Sequence, residues 1–538
     1  MSKRVVALSF DSADVALVNQ WMDQGHLPHL ASIRDEGLYV PLQSFEHSLA
    51  ETAQQFIITG QSPERTGYWS QFRFDPSNYS LIDAPLYDLA EYPPFYALGP
   101  GHRVCVLDLP QMNFHEGVNG LQLRGWGAHA PMCGFAAQPS GWAETIRREV
   151  GMHPGNGHDF AVLQDKKSLD ALHERLLQGV EMREKLYRLV WDQGPWDLFL
   201  GIFSEIHLAG HYLFEHAANR DYLQRGNNRD YLRNIYIKTD AAIGKMRGWM
   251  EPDMHLALFS VEGIRENSDE VSSIAILPEL LFRFSFPGRK AMDFENVQPS
   301  PESRAGIFDW VMEAWNLRCR MPRWAKWLRS KLSLEQAQRI EQFFRADGYL
   351  EHPATIEGMN YQPALWYRSY WQQMKAFALP SFSDGFIRIN LRGREKHGVV
   401  DPASYDSICS ELEELLMELK HPETGRSVVK KIIRTRKEGQ KEDAKLPSAD
   451  LVVLWDHPHP CGHVHSRLGP LGPFPGIRAG QHVPEGFMMI SGPRIPRGSR
   501  LPSAHVLDIH PTLLDLMGVA PVALLEGRSL LARFKANP

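Results

Sequence analysis

Short runs of consecutive apolar residues recur along the first half of the chain, separated by stretches of helical periodicity. Val5–Phe10 (VVALSF) is the first such run and ends abruptly at Asp11. Trp196–Phe203 (WDLFLGIF) and His255–Ser260 (HLALFS) repeat the pattern. Runs this short, bounded by polar residues, read as strands buried on both faces. Between them, Leu17, Trp21 and Met22 fall at helical spacing from about Val15 to Gly25, and a second helix opens at Leu27-Pro28-His29-Leu30 and closes near Gly37. Val40 to Phe45 reads as a strand. Ser48-Leu49-Ala50-Glu51 forms an S-x-x-E capping box for a helix running to Thr59-Gly60. Gly101 to Leu109 and Leu121 to Gly127 read as strands, and residues 166 to 192 as a helix. Strands alternating with helices predict an α/β fold, a doubly wound, mainly parallel sheet.

The pattern changes after about residue 265. Residues 300 to 380 are rich in Trp and Arg, with helical spacing and no clear strand. We therefore expect a core built from 1–264 and 381–538, and a mostly helical inserted cap over 265–380. In the insert Arg318, Arg320, Arg323, Lys326, Arg329 and Lys331 interleave with Trp315, Trp324 and Trp327. This is either a basic lid over an anionic substrate, a partner-binding surface, or a solvated helical face. Regular structure resumes with a strand at Gly385–Leu391, a helix from Ser404 to Leu419, an exposed charged loop over 435–447 and a strand at Ala449–Leu454. A Gly/Pro/His-rich stretch runs on to about Gly486.

Composition narrows the functional classes. At 538 residues, 43% hydrophobic and 23% charged, the chain can bury a large core. Its formal charge of −6 argues against bulk nucleic-acid binding and is compatible with a small anionic substrate. Cys105, Cys133, Cys319, Cys409 and Cys461 are odd in number and form no C-x-x-C pair, which excludes a disulfide framework or a thiolate zinc site. The opening apolar run is too short for a signal peptide, and no run is long enough to span a membrane. A cytoplasmic setting is expected, and nothing specifies an oligomeric state.

Candidate chemistry concentrates at strand ends. Ser204-Glu205-Ile206-His207-Leu208-Ala209-Gly210-His211 follows the strand at Trp196–Phe203. Histidines four apart on a helix share one face, close enough to hold one ion. Asp11 closes the first strand, Glu262 follows the strand at His255–Ser260, Thr52 and Ser48 sit at a helix head, and His482 lies in Gly480–Gly486. A doubly wound sheet collects its ligands at such places, and imidazole with carboxylate suits Zn²⁺ or a similar ion. His457, His459, His463 and His465 alternate with Pro and Gly in one loop. They are either a further ligand source or ordinary turn residues, and His129, His153 and His158 with Asp159 divide in the same way. Arg124, Arg388 and Arg394 are either oxyanion clamps or members of ion pairs.

Taken in order, Asp11, the T-G-x-x-P-x-x-x-G stretch at Thr59–Gly67, His207 with His211, Gly385–Glu395, Gly480–Gly486 and Asp508-Ile509-His510-Pro511-Thr512 resemble the alkaline phosphatase superfamily, in its type I phosphodiesterase and nucleotide pyrophosphatase branch. The resemblance runs over nearly the whole chain and is weakest in the Trp/Arg-rich insert. It implies two metal ions flanking a Ser or Thr nucleophile. By position, the first ion falls to His207, His211 and His482, a tightly held zinc. The second falls to Asp11, the nucleophile and a pair that the family writes Asp-His and this chain writes Val261-Glu262. Valine cannot ligate, so Asp11, Thr52 and Glu262 make at most an oxygen-rich site for an exchangeable Mg²⁺ or Mn²⁺. The family's usual nucleophile position is Ala50 here. Thr52 is the preferred replacement and Ser48 the competing one, with an N-cap role of its own. The implied activity is a metal-dependent hydrolase or group transferase acting on a phosphoester or related oxyanion ester. A metal-hydroxide hydrolase of a non-phosphate ester or amide, and a degenerate, non-catalytic member binding a ligand or partner, are the alternatives.

Overall fold

The computed structural model describes the chain apart from residues 1–2, 48–51, 84–85, 129–133, 157–165, 215–230, 295–306, 320–349, 354–361, 438–442, 458–459, 461, 522–523 and 537–538. It resolves into two compact units, one of residues 1–71, 83–266 and 479–538, the other of 72–82 and 267–478.

In chain order, the first unit opens with β1 (Val5–Phe10), α1 (Val15–Asp23), α2 (Pro28–Glu36), β2 (Leu38–Gln43) and α3 (Ala53–Thr59). β3 (Val104–Leu107), β4 (Gly120–Arg124), β5 (Ala136–Gln138), α4 (Lys166–Trp191) and β6 (Leu198–Phe203) follow. Then come α5 (Glu205–Leu213), α6 (Tyr231–Arg247), β7 (His255–Ser260) and β8 (Gly263–Glu266). The second unit contributes α7 (Leu277–Ser285), β9 (Ala376–Leu379), β10 (Gly385–Ile389), α8 (Tyr405–Met417), β11 (Val429–Arg434) and β12 (Leu451–Trp455). The chain then re-enters the first unit with β13 (Gly480–Val483), β14 (Glu485–Ser491), β15 (Ser499–Arg500), β16 (Ala504–His505) and α9 (Ile509–Met517).

The first unit is built on a ten-stranded sheet of order β15-β2-β14-β7-β1-β6-β3-β4-β5, with β16 also on β2. β7, β1, β6, β3 and β4 run parallel, whereas β14 is antiparallel to both of its neighbours and β5 to β4. The apolar runs are strands because both faces of the sheet are covered. Val6, Leu8 and Phe10 of β1 pack with Leu172, Leu176 and Val180 of α4 and Ile235 and Ile243 of α6. Val5 and Ala7 point the other way, to Phe56, Ile57 and Ile58 of α3 and Leu513 and Met517 of α9. Each such fully buried Leu, Ile or Phe contributes about 2 kcal/mol of transfer free energy. Local signals set the ends: the Asp14 side chain accepts the Leu17 N–H to start α1, and Asp508 accepts the His505 and Arg528 N–H groups ahead of α9. His510 is buried on that helix, and burial holds its imidazole down at about 4.

In the second unit the described residues of 265–380 are mostly helical, but the unit extends beyond that stretch. Its described residues include a four-stranded antiparallel sheet, β9-β10-β12-β11, beside helices such as α7 and α8. β9 lies in the stretch read as helical. β10 and β12 are strands as expected, but they belong to this sheet and not to the main one, so the unit runs on to Arg478. Alternation of apolar residues marks a strand and does not say which sheet receives it. Arg388 pairs with Glu395, and Arg394, its side chain 5% exposed, with Glu395 and Asp450, so both arginines serve ion pairs within this unit. Of the interleaved Trp/Arg set, Arg318 stacks over Trp315 at 4.3 Å, while Arg320, Arg323, Lys326, Arg329, Lys331, Trp324 and Trp327 lie outside the described residues.

Candidate metal centre

The parallel strands deliver their following residues to one edge of the first unit's sheet. Asp11 and Ser12 leave β1 there, Ser204 and α5 leave β6, and Val261-Glu262 leave β7. His207 and His211 stand one helical turn apart on α5, with ring centroids 4.5 Å apart. His482 comes from β13, which pairs antiparallel with β8 so that Ile264 lies opposite His482. That pairing brings a residue from late in the chain against the residue just after β7. Gly480 makes the approach possible: a Cβ there would stand 2.2 Å from the Gly210 carbonyl oxygen of α5.

The three imidazoles are buried and converge, each offering a nitrogen within 4.8 Å of the others. Their ring centroids are 4.5 to 5.1 Å apart. Hydrogen bonds fix which nitrogens face inward. His211 Nδ1 lies 2.7 Å from the Gly480 carbonyl oxygen, which only accepts, so Nδ1 carries the proton and Nε2 presents a lone pair. His482 Nδ1 lies 3.0 Å from Glu262 Oε1 and 3.2 Å from Ser12 Oγ. Ser12 donates its own hydroxyl proton to Glu262 at 3.1 Å, so both neighbours of Nδ1 act as acceptors and Nε2 is again the unprotonated nitrogen. The two Nε2 atoms then face each other across 3.1 Å. Two lone pairs at that separation repel unless a cation lies between them. Three neutral imidazoles, each able to give one nitrogen, are a donor set that fits Zn²⁺ and leaves a fourth position open.

Asp11 is buried beside this cluster, with Oδ1 3.7 Å from His207 Nδ1. Glu262 faces His482 and Ser12 through Oε1, and Val261 is a fully buried core residue. The loop after β1 is tied to the residues after β7 by Ser260, whose Oγ accepts the Ala13 N–H at 2.9 Å and lies 2.7 Å from the Glu262 carbonyl oxygen. Thr52 is fully buried, immediately before α3 in the connection that leaves β2 at the same edge, and its side chain does not cap the helix. The helix begins at Ala53, while the capping box and Ser48, Ala50 and Glu51 lie outside the described residues.

A second buried cluster, which gathers the candidate His153 around an arginine the sequence did not single out, supports the start of α5. Arg183 of α4 reaches across the sheet edge. Its Nε donates to Glu205 at 2.7 Å, Nη1 to Asp108 at 3.1 Å and Nη2 to Ser204 Oγ at 2.8 Å. His153 adds a second donor to Glu205 at 2.8 Å, with its other nitrogen accepting the Gly155 N–H. Burial opposes ionisation of Glu205, but Arg183 and His153 outweigh it and hold the carboxyl at about 2. Burial raises Asp108, only partly offset by Arg183. Asp108 adopts φ +68, a conformation rare outside glycine, and accepts the Trp126 N–H after β4. The cluster thus bolts the ends of β3, β4 and β6 together just ahead of His207. In sequence, Arg183 reads only as one more polar position on a long helix.

Of the other candidates, Arg124 stacks over Phe114 at 4.7 Å. In the second unit His457 Nε2 lies 2.7 Å from Ser272 Oγ, and the His463 and His465 rings lie 6.0 Å apart. His129, His158, Asp159 and His459 lie outside the described residues. Among the described residues no helix is long and apolar enough to cross a membrane.

A comparison with curated proteins returned no match. Among solved structures, the chain is similar to murine ectonucleotide pyrophosphatase / phosphodiesterase 5, at 12% identity over 99% of each chain with a TM-score of 0.47. It is also similar to phosphonoacetate hydrolase from Sinorhizobium meliloti 1021 in complex with phosphonoformate, at 11% identity over 97% of this chain and 96% of that one, with a TM-score of 0.47. The family model for type I phosphodiesterase / nucleotide pyrophosphatase matches residues 5–286, more than half of the chain and the whole stretch from β1 to α7. This chain therefore belongs to the type I phosphodiesterase / nucleotide pyrophosphatase family.

Proposed function

We propose that the chain is a zinc-dependent hydrolase of phosphoesters or closely related oxyanion esters, with small anionic molecules as substrates. The observation that carries this reading is the convergence of three buried imidazoles with unprotonated Nε2 atoms of His211 and His482 facing each other at 3.1 Å. His207, His211 and His482 would hold the ion, which when bound supplies Lewis acidity toward an ester oxygen. The protein's own part is to set the charges and protons around it. Gly480 and the Ser12–Glu262 pair keep protons on the Nδ1 atoms of His211 and His482. Asp11 adds negative charge beside His207. Thr52 is the proposed nucleophile. Its hydroxyl is buried, close in sequence to the strand edge that collects the histidines, and is not used as a helix cap. Attack by Thr52 Oγ1 would form the bond to the central atom of the ester as the bond to the leaving oxygen breaks, with the threonine proton passing to the leaving oxygen, and water would then cleave the threonyl ester to release the acid and restore the hydroxyl. We propose a cytoplasmic setting, a reading supported by five scattered cysteines that form no C-x-x-C pair.

The test is hydrolysis of bis-p-nitrophenyl phosphate, p-nitrophenyl phosphate and p-nitrophenyl sulfate by the purified chain, before and after chelation and zinc return, with His482→Ala alongside. We expect turnover of at least one phosphate ester that chelation abolishes, zinc restores and His482→Ala lacks. Hydrolysis that survives both chelation and His482→Ala would contradict the reading.

A further inference from the structure

The residues around His482 do more than neighbour it. Ser12 holds φ +61, in the left-handed region where a side chain is unfavourable and glycine is not. A serine kept in such a place needs a use for its hydroxyl. That hydroxyl is fully buried and has two partners, Glu262 Oε1 at 3.1 Å and His482 Nδ1 at 3.2 Å. Glu262 Oε1 is itself 3.0 Å from the same Nδ1. Serine, glutamate and histidine thus form a closed triangle from three different elements: the end of β1, the residue after β7 and the middle of β13. The sequence resemblance would make Glu262 a metal ligand. Here its Oε1 is directed at the back of an imidazole whose front faces His211.

We propose that Ser12 and Glu262 are positioning residues for His482, a hydroxyl–carboxylate clamp that locks its tautomer and aims its Nε2 at the centre shared with His207 and His211. The inference rests on the zinc reading above and adds to it the part played by these two residues. A carboxylate on the far nitrogen of a ligating histidine fixes the ring and makes it more basic, and loss of such a partner weakens metal binding about 10- to 100-fold. Glu262 then sets the affinity of the three-histidine site and is not a ligand of another ion. The strained backbone of Ser12 separates the clamp from a purely structural role. In Ser12→Gly the left-handed conformation becomes easy while the hydroxyl is lost.

Zinc affinity and stoichiometry of the full chain, measured by competition with a coloured chelator, test this, with thermal unfolding of each metal-free variant as a check on folding. Wild type should take up one tightly held zinc, and His482→Ala should lose it. Glu262→Gln should keep a stoichiometry of one and bind about 10- to 100-fold more weakly. Ser12→Gly should weaken zinc about tenfold with an unfolding temperature equal to or above that of wild type. If wild type takes up no zinc, or His482→Ala binds as tightly as wild type, the three-histidine reading fails and the clamp with it. If those two behave as expected but Glu262→Gln and Ser12→Gly bind zinc like wild type, the clamp alone is overturned. Two tightly held ions in wild type and one in Glu262→Gln would make Glu262 a ligand and overturn it also.

Discussion

Replacing Arg183 with methionine should unfold the first unit far more readily than its position on a long helix suggests. The guanidinium is fully buried and makes three hydrogen bonds, to Glu205, Asp108 and Ser204, besides standing over the Trp126 ring at 5.2 Å. Methionine fills much of the same volume and removes the guanidinium charge that these contacts give Glu205, leaving it the hydrogen bond from His153. The loss is therefore mostly electrostatic, and breaking a buried pair on one side costs about 3–5 kcal/mol. The shift of Glu205 points the same way. Its carboxyl is held at about 2, so it stabilises the fold fully above its ordinary value of 4.5 and loses that contribution as pH falls from 4.5 toward 2. The size of that contribution is about 3 kcal/mol. Urea unfolding of the full chain, followed by the signal of the first unit, is the assay. With a urea dependence of about 3 kcal/mol/M, the midpoint should fall by roughly 1 to 1.7 M. The double variant Arg183→Met, Glu205→Gln should recover part of the loss, because the stranded carboxylate is gone. A midpoint within about 0.3 M of wild type, or a double variant no better than the sum of the singles, would refute the reasoning.

Three further outcomes follow from single residues. Gly127→Ala should cost about 3 kcal/mol, because a Cβ there meets Asp108 Oδ2 at 2.2 Å, Arg183 Nη2 at 2.3 Å and Ser204 Oγ at 2.6 Å; urea unfolding checks it against Gly101→Ala, where a Cβ meets nothing within 4 Å. His510, held at about 4 by burial, stays neutral in the fold while the unfolded chain takes up a proton near pH 6.5, so stability is full above 6.5 and declines by about 3 kcal/mol as pH falls toward 4. His510→Gln should flatten the pH profile in that window, and an unchanged slope would point to other groups. Thr52→Ala should lower turnover of the best nitrophenyl ester by at least about a thousandfold with zinc content unchanged; unaltered turnover would remove Thr52 from the nucleophile's role.

What the sequence disclosed, and what it hid, follows from the range of the interactions involved. The strands at Val5–Phe10 and His255–Ser260 were readable because burial on both faces writes itself into consecutive apolar residues. His207 and His211 were readable because four residues of helix put them on one face. The partner of Glu262 was not, since it depends on β8 pairing with β13 in a register that sets Ile264 against His482. Position alone suggested a ligand, whereas the observed contacts are to an imidazole and a serine. Ser12 carried no signal beyond following Asp11, because its left-handed conformation is a property of the folded loop. Arg183 carried no signal beyond lying within a long helix, because its partners come from the ends of β3 and β6. The extent of the second unit was hidden for a related reason: the strands at Gly385–Ile389 and Leu451–Trp455 look the same in sequence whichever sheet they join, and β9 is too short to stand out from the helical periodicity around it.

The central claim is that His207, His211 and His482 hold one zinc ion. Anomalous diffraction at the zinc edge, from crystals of the full chain grown with zinc, tests it most directly. The account predicts a peak about 2.0–2.1 Å from Nε2 of His211, from Nε2 of His482 and from one ring nitrogen of His207. A zinc peak elsewhere with none among these three rings, in crystals where the rings stand as described, would contradict it.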